Sequence, residues 1–167
     1  GKSQANTMQL EISYELLRSV NLRTAYKFYD VYTEYTSGKF QKPLQAKHRF
    51  FANISYNTDA TLEGSQWKFD MTYNLIGKKR LPNTTTNPVN YQLPEYSKSY
   101  SLLNAQITKV FSKKFEIYSG AENLTNYKQK NPILASDNPF GANFDTTIVY
   151  APIFGATFYA GLRFKID

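Results

Sequence analysis

The sequence predicts an all-β fold, namely an antiparallel up-and-down sheet that forms part of a transmembrane β-barrel. Three observations favour this fold. Apolar residues recur with a period of two, short and long connections alternate along the chain, and charged residues avoid the middles of the apolar rows. A period of two places successive side chains on opposite faces of a strand, as a wall between lipid and water requires.

The first three predicted strands are Gln9–Leu17, Asn21–Tyr32 and Arg49–Asn57. In the first, every even position within 10–16 is Leu, Ile or Tyr, and every odd position within 9–15 is polar. The second opposes Leu22 to Arg23, and the third opposes an even apolar row to an odd row rich in Asn and Ser. Each segment therefore has one apolar and one polar face.

The four remaining predicted strands are Trp67–Leu75, Ser101–Phe111, Phe115–Leu124 and Phe158–Ile166. In the first of these, the odd positions from 67 to 75 are apolar or aromatic, whereas the even positions carry Lys, Asp, Thr and Asn. The last has an apolar residue at every even position from 158 to 166. We therefore expect about seven strands and no amphipathic helix.

The predicted connections differ in length in a regular order. Short turns lie near 18–20, 60–64 and 112–114, and longer links span about 35–47, 78–98 and 126–155. In an up-and-down sheet, alternate connections lie at the same end. One end of the sheet therefore carries only short turns and the other only long loops. Outer-membrane barrels have this arrangement, with short periplasmic turns and long external loops.

Charge placement agrees with an apolar face that contacts lipid. The charged or titratable residues on the apolar rows all lie at or near strand ends: Arg18, Asp30, His48, Lys79 and Lys109. A Lys or Arg on the lipid face costs roughly 2–4 kcal/mol at mid-bilayer and little near the interfaces. The 14 Tyr and the single Trp also suit the interfacial aromatic girdles of such a barrel.

Composition excludes several classes of chemistry. The 167 residues include no Cys, which excludes a disulfide framework, a Cys-based zinc site and a thiol nucleophile. The chain has a single His, which excludes a multi-His metal site. It contains no run of 18 apolar residues, so no membrane-spanning helix is predicted. We expect no cofactor, no metal and no enzymatic activity. His48 lies beside Arg49 at a strand end, and a structural role is the simpler interpretation of it.

Two stretches near the end of the chain carry a family resemblance. The stretch Gly120-Ala121-Glu122-Asn123-Leu124-Thr125-Asn126-Tyr127 resembles the penultimate-strand motif of TonB-dependent outer-membrane receptors, and 155–166 resembles their last strand. The final strand is also similar to the signal read by the barrel-assembly machinery, with Tyr159, Gly161, Phe164 and Ile166 in its positions. Gly155-Ala156 departs from the Gly-Arg that often precedes the last strand in the family.

The resemblance implies the last seven strands of a 22-stranded barrel with a plugged lumen, of the Bacteroidetes type. Residues 1–167 would then be a C-terminal barrel segment without the plug, and Gly1–Thr7 has no apolar stretch like a signal peptide. The missing strands would come from another chain or from another part of the polypeptide. The complete protein would lie in the bacterial outer membrane and import a scarce nutrient, with the TonB system, lipopolysaccharide and a surface lipoprotein as partners.

Candidate binding residues lie in the predicted external loops. Loop residues that combine ring faces with hydrogen-bonding groups are candidates for ligand contact: Tyr91, Tyr96, Asn138, Phe140 and Asp145. The basic run Lys78-Lys79-Arg80 is a candidate for lipopolysaccharide phosphates, and ordinary solvated loop charge is the alternative. Nucleic-acid binding is disfavoured because the basic and aromatic residues alternate with predicted lipid-facing residues.

Two other architectures fit part of the pattern. A soluble β-sandwich that binds glycans or a protein partner also alternates, but its apolar rows would converge on a dry interior. A small self-contained outer-membrane barrel, with or without enzymatic activity, would need an eighth strand drawn from Asn131–Val149. The transported substrate is not specified by the sequence.

Overall fold

The computed structural model describes residues 2–166 and is all-β. Its eight strands form one antiparallel sheet. The strands are β1 Ser3–Leu17, β2 Val20–Tyr35, β3 Gly38–Gln41, β4 His48–Asn57, β5 Gln66–Ile76, β6 Tyr100–Val110, β7 Phe115–Glu122 and β8 Thr157–Phe164. The only helical element in this range is a 3-10 turn at Val89–Tyr91, and no helix there has the length and hydropathy to cross a membrane.

The sheet is a meander in which strands pair in chain order. Its order is β1-β2-β4-β5-β6-β7-β8, and β3 pairs with the end of β2 beside this path. The register keeps the apolar row continuous across the sheet, since Ile54 lies opposite Met71, Met71 opposite Ala105, and Ala105 opposite Ala121. The antiparallel sheet of the sequence prediction is therefore confirmed.

All seven predicted strands are present, but their number and bounds needed correction. β3 lies within the predicted link 35–47, because Gly38, at φ 130°, permits a tight hairpin in which Tyr35 pairs with Gly38. β1 begins at Ser3, since backbone pairing with β2 continues past the alternating segment. β7 ends at Glu122 because Asn123 has φ 53°, and β8 ends before Ile166.

The alternation of short and long connections is confirmed. Short connections at 18–19, 58–65 and 111–114 join β1 to β2, β4 to β5 and β6 to β7. Long connections at 36–47, 77–99 and 123–156 follow β2, β5 and β7. Because the strands are antiparallel neighbours, all three long connections lie at the same end of the sheet.

Neither face of the sheet carries a second layer in the described part of the chain. The apolar face is open, with Phe50 38% exposed, Phe69 39% and Leu162 67%. The buried apolar residues are few, and most lie in the long connections: Ala46, Leu81, Tyr100, Val110, Ala121, Ala135, Ile148 and Ala151. The closest packing is therefore among the loops at one end.

The two alternative architectures do not describe this fold. A β-sandwich needs two packed sheets, whereas residues 2–166 form a single open sheet. The segment Asn131–Val149 does not supply a further barrel strand, because its only pairing is an isolated bridge between Leu134 and Asp145. The edge strands β1 and β8 do not pair with each other, so the sheet is not a closed small barrel.

Candidate functional site

The three long connections pack together at one end of the sheet. Isolated bridges join Ala46 to Lys79 and Arg80 to Tyr96. The Leu44 N–H donates to the Arg80 carbonyl at 2.8 Å, which ties the first long connection to the second. The hydroxyl of Tyr91 in the second connection donates to Asp137 in the third at 2.7 Å, so all three connections are linked.

Gln129 organises the last long connection from within. Its side chain is buried, and its Nε2 donates to the Ile148 carbonyl at 2.8 Å. Its Oε1 accepts from the N–H groups of Tyr150 and Ala151 at 2.8 and 3.2 Å. The amide of Gln129 therefore holds the Ile148–Ala151 segment against the start of the same connection.

Lys79, Tyr100 and Tyr150 form the junction between the last loop and the sheet. The ring of Tyr100 stacks on Tyr127 with centroids 4.7 Å apart, and its hydroxyl donates to the Tyr150 carbonyl at 3.1 Å. The Lys79 ammonium donates to the same carbonyl. Lys79 is buried, and its pKa is lowered by that burial and then by the positive charge of Arg49.

The structure gives the predicted ligand residues different surroundings. Tyr91 donates from its hydroxyl to Asp137 Oδ2 at 2.7 Å, so it approaches Asn138 in the last loop. Phe140 is fully exposed at a loop tip. Asp145 accepts from the N–H and the hydroxyl of Thr147, both at 2.7 Å, and thereby orders its own turn.

The run Lys78-Lys79-Arg80 is also divided. Lys78 is exposed, with its ammonium 4.7 Å from the centroid of the Tyr96 ring, so Tyr96 is engaged as a cation–π partner. Arg80 lies over Phe40 and donates to the Gln41 carbonyl at 3.0 Å. Lys79 is 8% exposed, which removes it from the candidates for lipopolysaccharide contact.

His48 has aromatic neighbours. Its Nδ1 is 2.6 Å from the Tyr26 hydroxyl, and its ring centroid is 5.3 Å from that of Phe28. These contacts give His48 a structural role at the end of a strand. Within residues 2–166, no group of three or more His, Cys, Asp or Glu side chains is placed to hold a metal ion.

The motif that carries the family resemblance contains a polar hub at Asn123. This residue is buried, and its Nδ2 donates to the carbonyls of Tyr127 and Phe154 at 2.8 and 3.2 Å. Its Oδ1 accepts from the Thr125 hydroxyl and the Tyr127 N–H at 3.0 and 3.1 Å. The hub fixes the start of the last loop where β7 ends.

The polar face of β7 and β8 holds two tyrosines, each lying over the glycine directly opposite. Tyr118 pairs with Gly161 and Tyr159 with Gly120, and the two rings are 6.4 Å apart. A Cβ on either glycine would overlap the facing tyrosine hydroxyl. With this space left open, Tyr159 donates across β7 to Gln106 at 2.9 Å. Of the other assembly-signal positions, Phe164 and Ile166 are exposed.

A basic row on the polar face was not found from the sequence. Lys27 of β2 lies directly opposite Arg49 of β4, and the row continues through Ile76 to Tyr100. The ring of Tyr29 is 4.9 Å from the Lys27 ammonium and 5.9 Å from the Arg49 guanidinium carbon. Lys27 and Arg49 both occupy odd-numbered positions, which the sequence assigns to the polar face. Only the register of β2 with β4 makes these two cations neighbours.

These features describe an open antiparallel sheet with an apolar face, a polar face and one end covered by ordered loops. The chain matches no protein-family model, none of the curated proteins and none of the solved structures compared with it.

Proposed function

We propose that this chain forms part of the wall and the external loops of a TonB-dependent transporter in the bacterial outer membrane. In this proposal the complete protein binds a scarce nutrient outside the cell and imports it. The chain contributes wall, loops and a folding signal. It contributes no catalytic step.

One observation carries the proposal, namely the exposed apolar row that crosses the sheet without a covering layer in residues 2–166. Met8, Leu10 and Ile12 of β1 are 57%, 58% and 56% exposed, and Phe158 and Phe164 of β8 are 75% and 61% exposed. Monomeric soluble proteins rarely expose contiguous apolar surface on this scale. Acyl chains are a solvent for such a row, and the polar face then borders water.

The open edges support the same proposal. β1 spans 15 residues, and every one of them is exposed. An unpaired strand edge in hydrocarbon leaves N–H and C=O groups without partners, at several kcal/mol per group. Further strands beside β1 and β8 would close the wall, and the meander order of the sheet allows them on both sides.

The proposal is tested with two neighbouring positions that face opposite sides of β4. Ile54→Cys and Ser55→Cys variants of the full-length protein, reconstituted in phospholipid vesicles, are each labelled with an environment-sensitive fluorophore. We expect brominated acyl chains to quench the label at 54 strongly and the label at 55 weakly. Equal quenching at both positions would contradict the membrane wall.

The transport part needs a separate test in cells. Growth on limiting ferric chelates, cobalamin, peptides or oligosaccharides is compared between strains with and without the gene, each with an intact or an inactive TonB system. We expect at least one nutrient to support growth only when both the gene and TonB are intact. A protein that inserts in the membrane but gives no TonB-dependent uptake would be a barrel of another class.

A further inference from the structure

The row of Lys27 and Arg49 on the polar face places like charges directly across from each other. Their positions are paired in the register of β2 with β4. Like charges directly opposite in an antiparallel pair destabilise the sheet. The arrangement therefore needs a compensating interaction, and the ring of Tyr29, which both cations approach, carries no formal counter-charge.

Two other bases on the same face have acidic partners. Arg23 pairs with Glu11 at 2.6 Å, and Arg163 pairs with Glu116. By contrast, no carboxylate in the described part of the chain lies within 4.0 Å of the charged nitrogens of Lys27 or Arg49. Lys27 and Arg49 are therefore two neighbouring cations without a carboxylate partner within that distance.

Lys79 adds a third cation at the edge of this place. Its bridge to Ala46 sets it beside the start of β4, and its ammonium is held by the Tyr150 carbonyl. The pKa of Lys79 is lowered first by burial and then by the positive charge of Arg49. Cations converge here from β2, β4 and the connection after β5, at the end of the sheet that carries the long loops.

The surface around the row is concave and mixed in character. An open depression of about 390 Å³ is lined by the polar residues Lys27, Arg49, Gln9 and Asn74 and otherwise by apolar or aromatic residues, Phe51 and Tyr100 among them. Guanidinium and ammonium groups recognise carboxylate and phosphate oxygens, while the amides and the rings offer hydrogen bonds and stacking surfaces. The two cations favour an organic anion over a neutral solute, and the apolar lining can contact the carbon part of such a ligand.

We infer that Lys27 and Arg49 form a binding site for a soluble oxyanion, a ligand that carries carboxylate or phosphate groups, on the polar face of the sheet. The inference rests on the proposed function, in which this face borders the aqueous lumen. It names the class of ligand that passes along the wall. Lipid headgroups are not the source of the oxyanion, because the row lies on the face opposite the apolar one.

The test uses citrate and inorganic phosphate as probes on the full-length protein in detergent, with sodium chloride added to equal ionic strength. Calorimetry gives the affinity of the wild type and of Lys27→Gln/Arg49→Gln. We expect one of the two anions to bind, and the double variant to bind it at least tenfold more weakly. The matched control Lys68→Gln removes a cation of the same face at the short-turn end and should change affinity less than twofold.

A second variant guards against loss of folding. Lys27→Glu places a carboxylate opposite Arg49. This carboxylate should stabilise the pairing of β2 with β4, and it should also occupy the position where a bound anion would contact Arg49. We expect it to insert in vesicles as the wild type does and to lose anion binding tenfold or more. Unchanged binding in either variant, or no binding of either anion by the wild type, would overturn the site.

The same samples separate the two proposals. Insertion is followed with the labels at positions 54 and 55 described above. A wild type that inserts but binds neither citrate nor phosphate overturns the anion site and leaves the membrane wall standing. A wild type whose two labels are quenched equally overturns the proposed function, and this inference with it.

Discussion

At the scale of single residues, Asn123 combines a turn of the backbone with a set of side-chain hydrogen bonds. Its amide links the end of β7 to Thr125, Tyr127 and Phe154, and its φ of 53° turns the chain out of the strand. Asn adopts this conformation more readily than other residues with a side chain. The sequence motif identified the position, and the structure gives the physical reason for an Asn there.

Replacement of Asn123 separates these two contributions. Asn123→Gly keeps the backbone conformation and removes the hydrogen bonds of the amide, whereas Asn123→Ala also strains the backbone. We expect Asn123→Gly to lower the free energy of unfolding by about 2 kcal/mol and Asn123→Ala by about 1 kcal/mol more. Urea titration in lipid vesicles measures both. Equal stability of Ala and Gly variants would contradict the strain argument.

Tyr91, predicted as a ligand-binding residue, makes a hydrogen bond within the protein. Its hydroxyl donates to Asp137, and this hydrogen bond to the neutral phenol raises the pKa of Tyr91 above its usual value of 10.0. A pKa raised by folding means that the contact contributes fully below about pH 10 and is lost as pH rises through the folded pKa.

The contact between Tyr91 and Asp137 is testable by proteolysis of the last loop. We expect Tyr91→Phe to increase the cleavage rate near Phe140 a few-fold at pH 8, and the wild type to reach the rate of the variant only above pH 10. Tyr96→Phe is the control, since the Tyr96 ring contacts Lys78 through its face. An identical rate for the wild type and Tyr91→Phe at pH 8 would exclude the tether.

At the scale of secondary-structure elements, β7 and β8 are joined by the two tyrosine–glycine pairs. The two glycines differ in what a Cβ would meet. At Gly161 the nearest atoms all belong to the Tyr118 side chain, whereas at Gly120 the backbone carbonyl of Ala105 also lies 2.7 Å away. A side chain can move aside more easily than the backbone of a neighbouring strand.

This difference predicts different outcomes of double substitution. We expect Gly161→Ala and Gly120→Ala each to lower the free energy of unfolding by about 1–3 kcal/mol, as overpacked positions do. Tyr118→Ala should restore most of the loss at Gly161, and Tyr159→Ala should restore little at Gly120. Double-mutant cycles in urea measure the coupling, and equal rescue at both sites would be the contrary result.

The pairing of β2 with β4 gives a second prediction at this scale. Lys27→Glu turns a like-charge pair with Arg49 into an opposite-charge pair, so we expect the free energy of unfolding to rise by about 0.2–1 kcal/mol. Lys68→Glu is the control, because Lys68 lies opposite Asn57 and Thr108 and gains no cation there. Reduced stability of Lys27→Glu at low salt would show that the repulsion is absent.

At the scale of the whole molecule, the sheet has one apolar and one polar face, and the proposed function places lipid at the first and water at the second. The neighbours Ile54 and Ser55 lie on opposite faces of β4 and test this separation directly. We expect Ile54→Arg to lower stability in the bilayer by about 2–4 kcal/mol and Ser55→Arg to change it by less than about 1 kcal/mol. Heat-modifiable migration and urea titration measure the effect. Equal losses would place both side chains in the same environment.

The alternation in seven of the strands, the two faces of the sheet and the alternating loop lengths could all be predicted from the amino-acid pattern. These features depend on neighbouring residues along the chain, because the period of two is local. The sequence did not reveal β3, since four residues after a turn carry too short a pattern. Three features required the folded structure: Lys27 lies opposite Arg49, Lys79 is buried, and Tyr91 donates a hydrogen bond to Asp137. Those contacts depend on strand register and on loop packing between segments far apart in the chain, which no local pattern records.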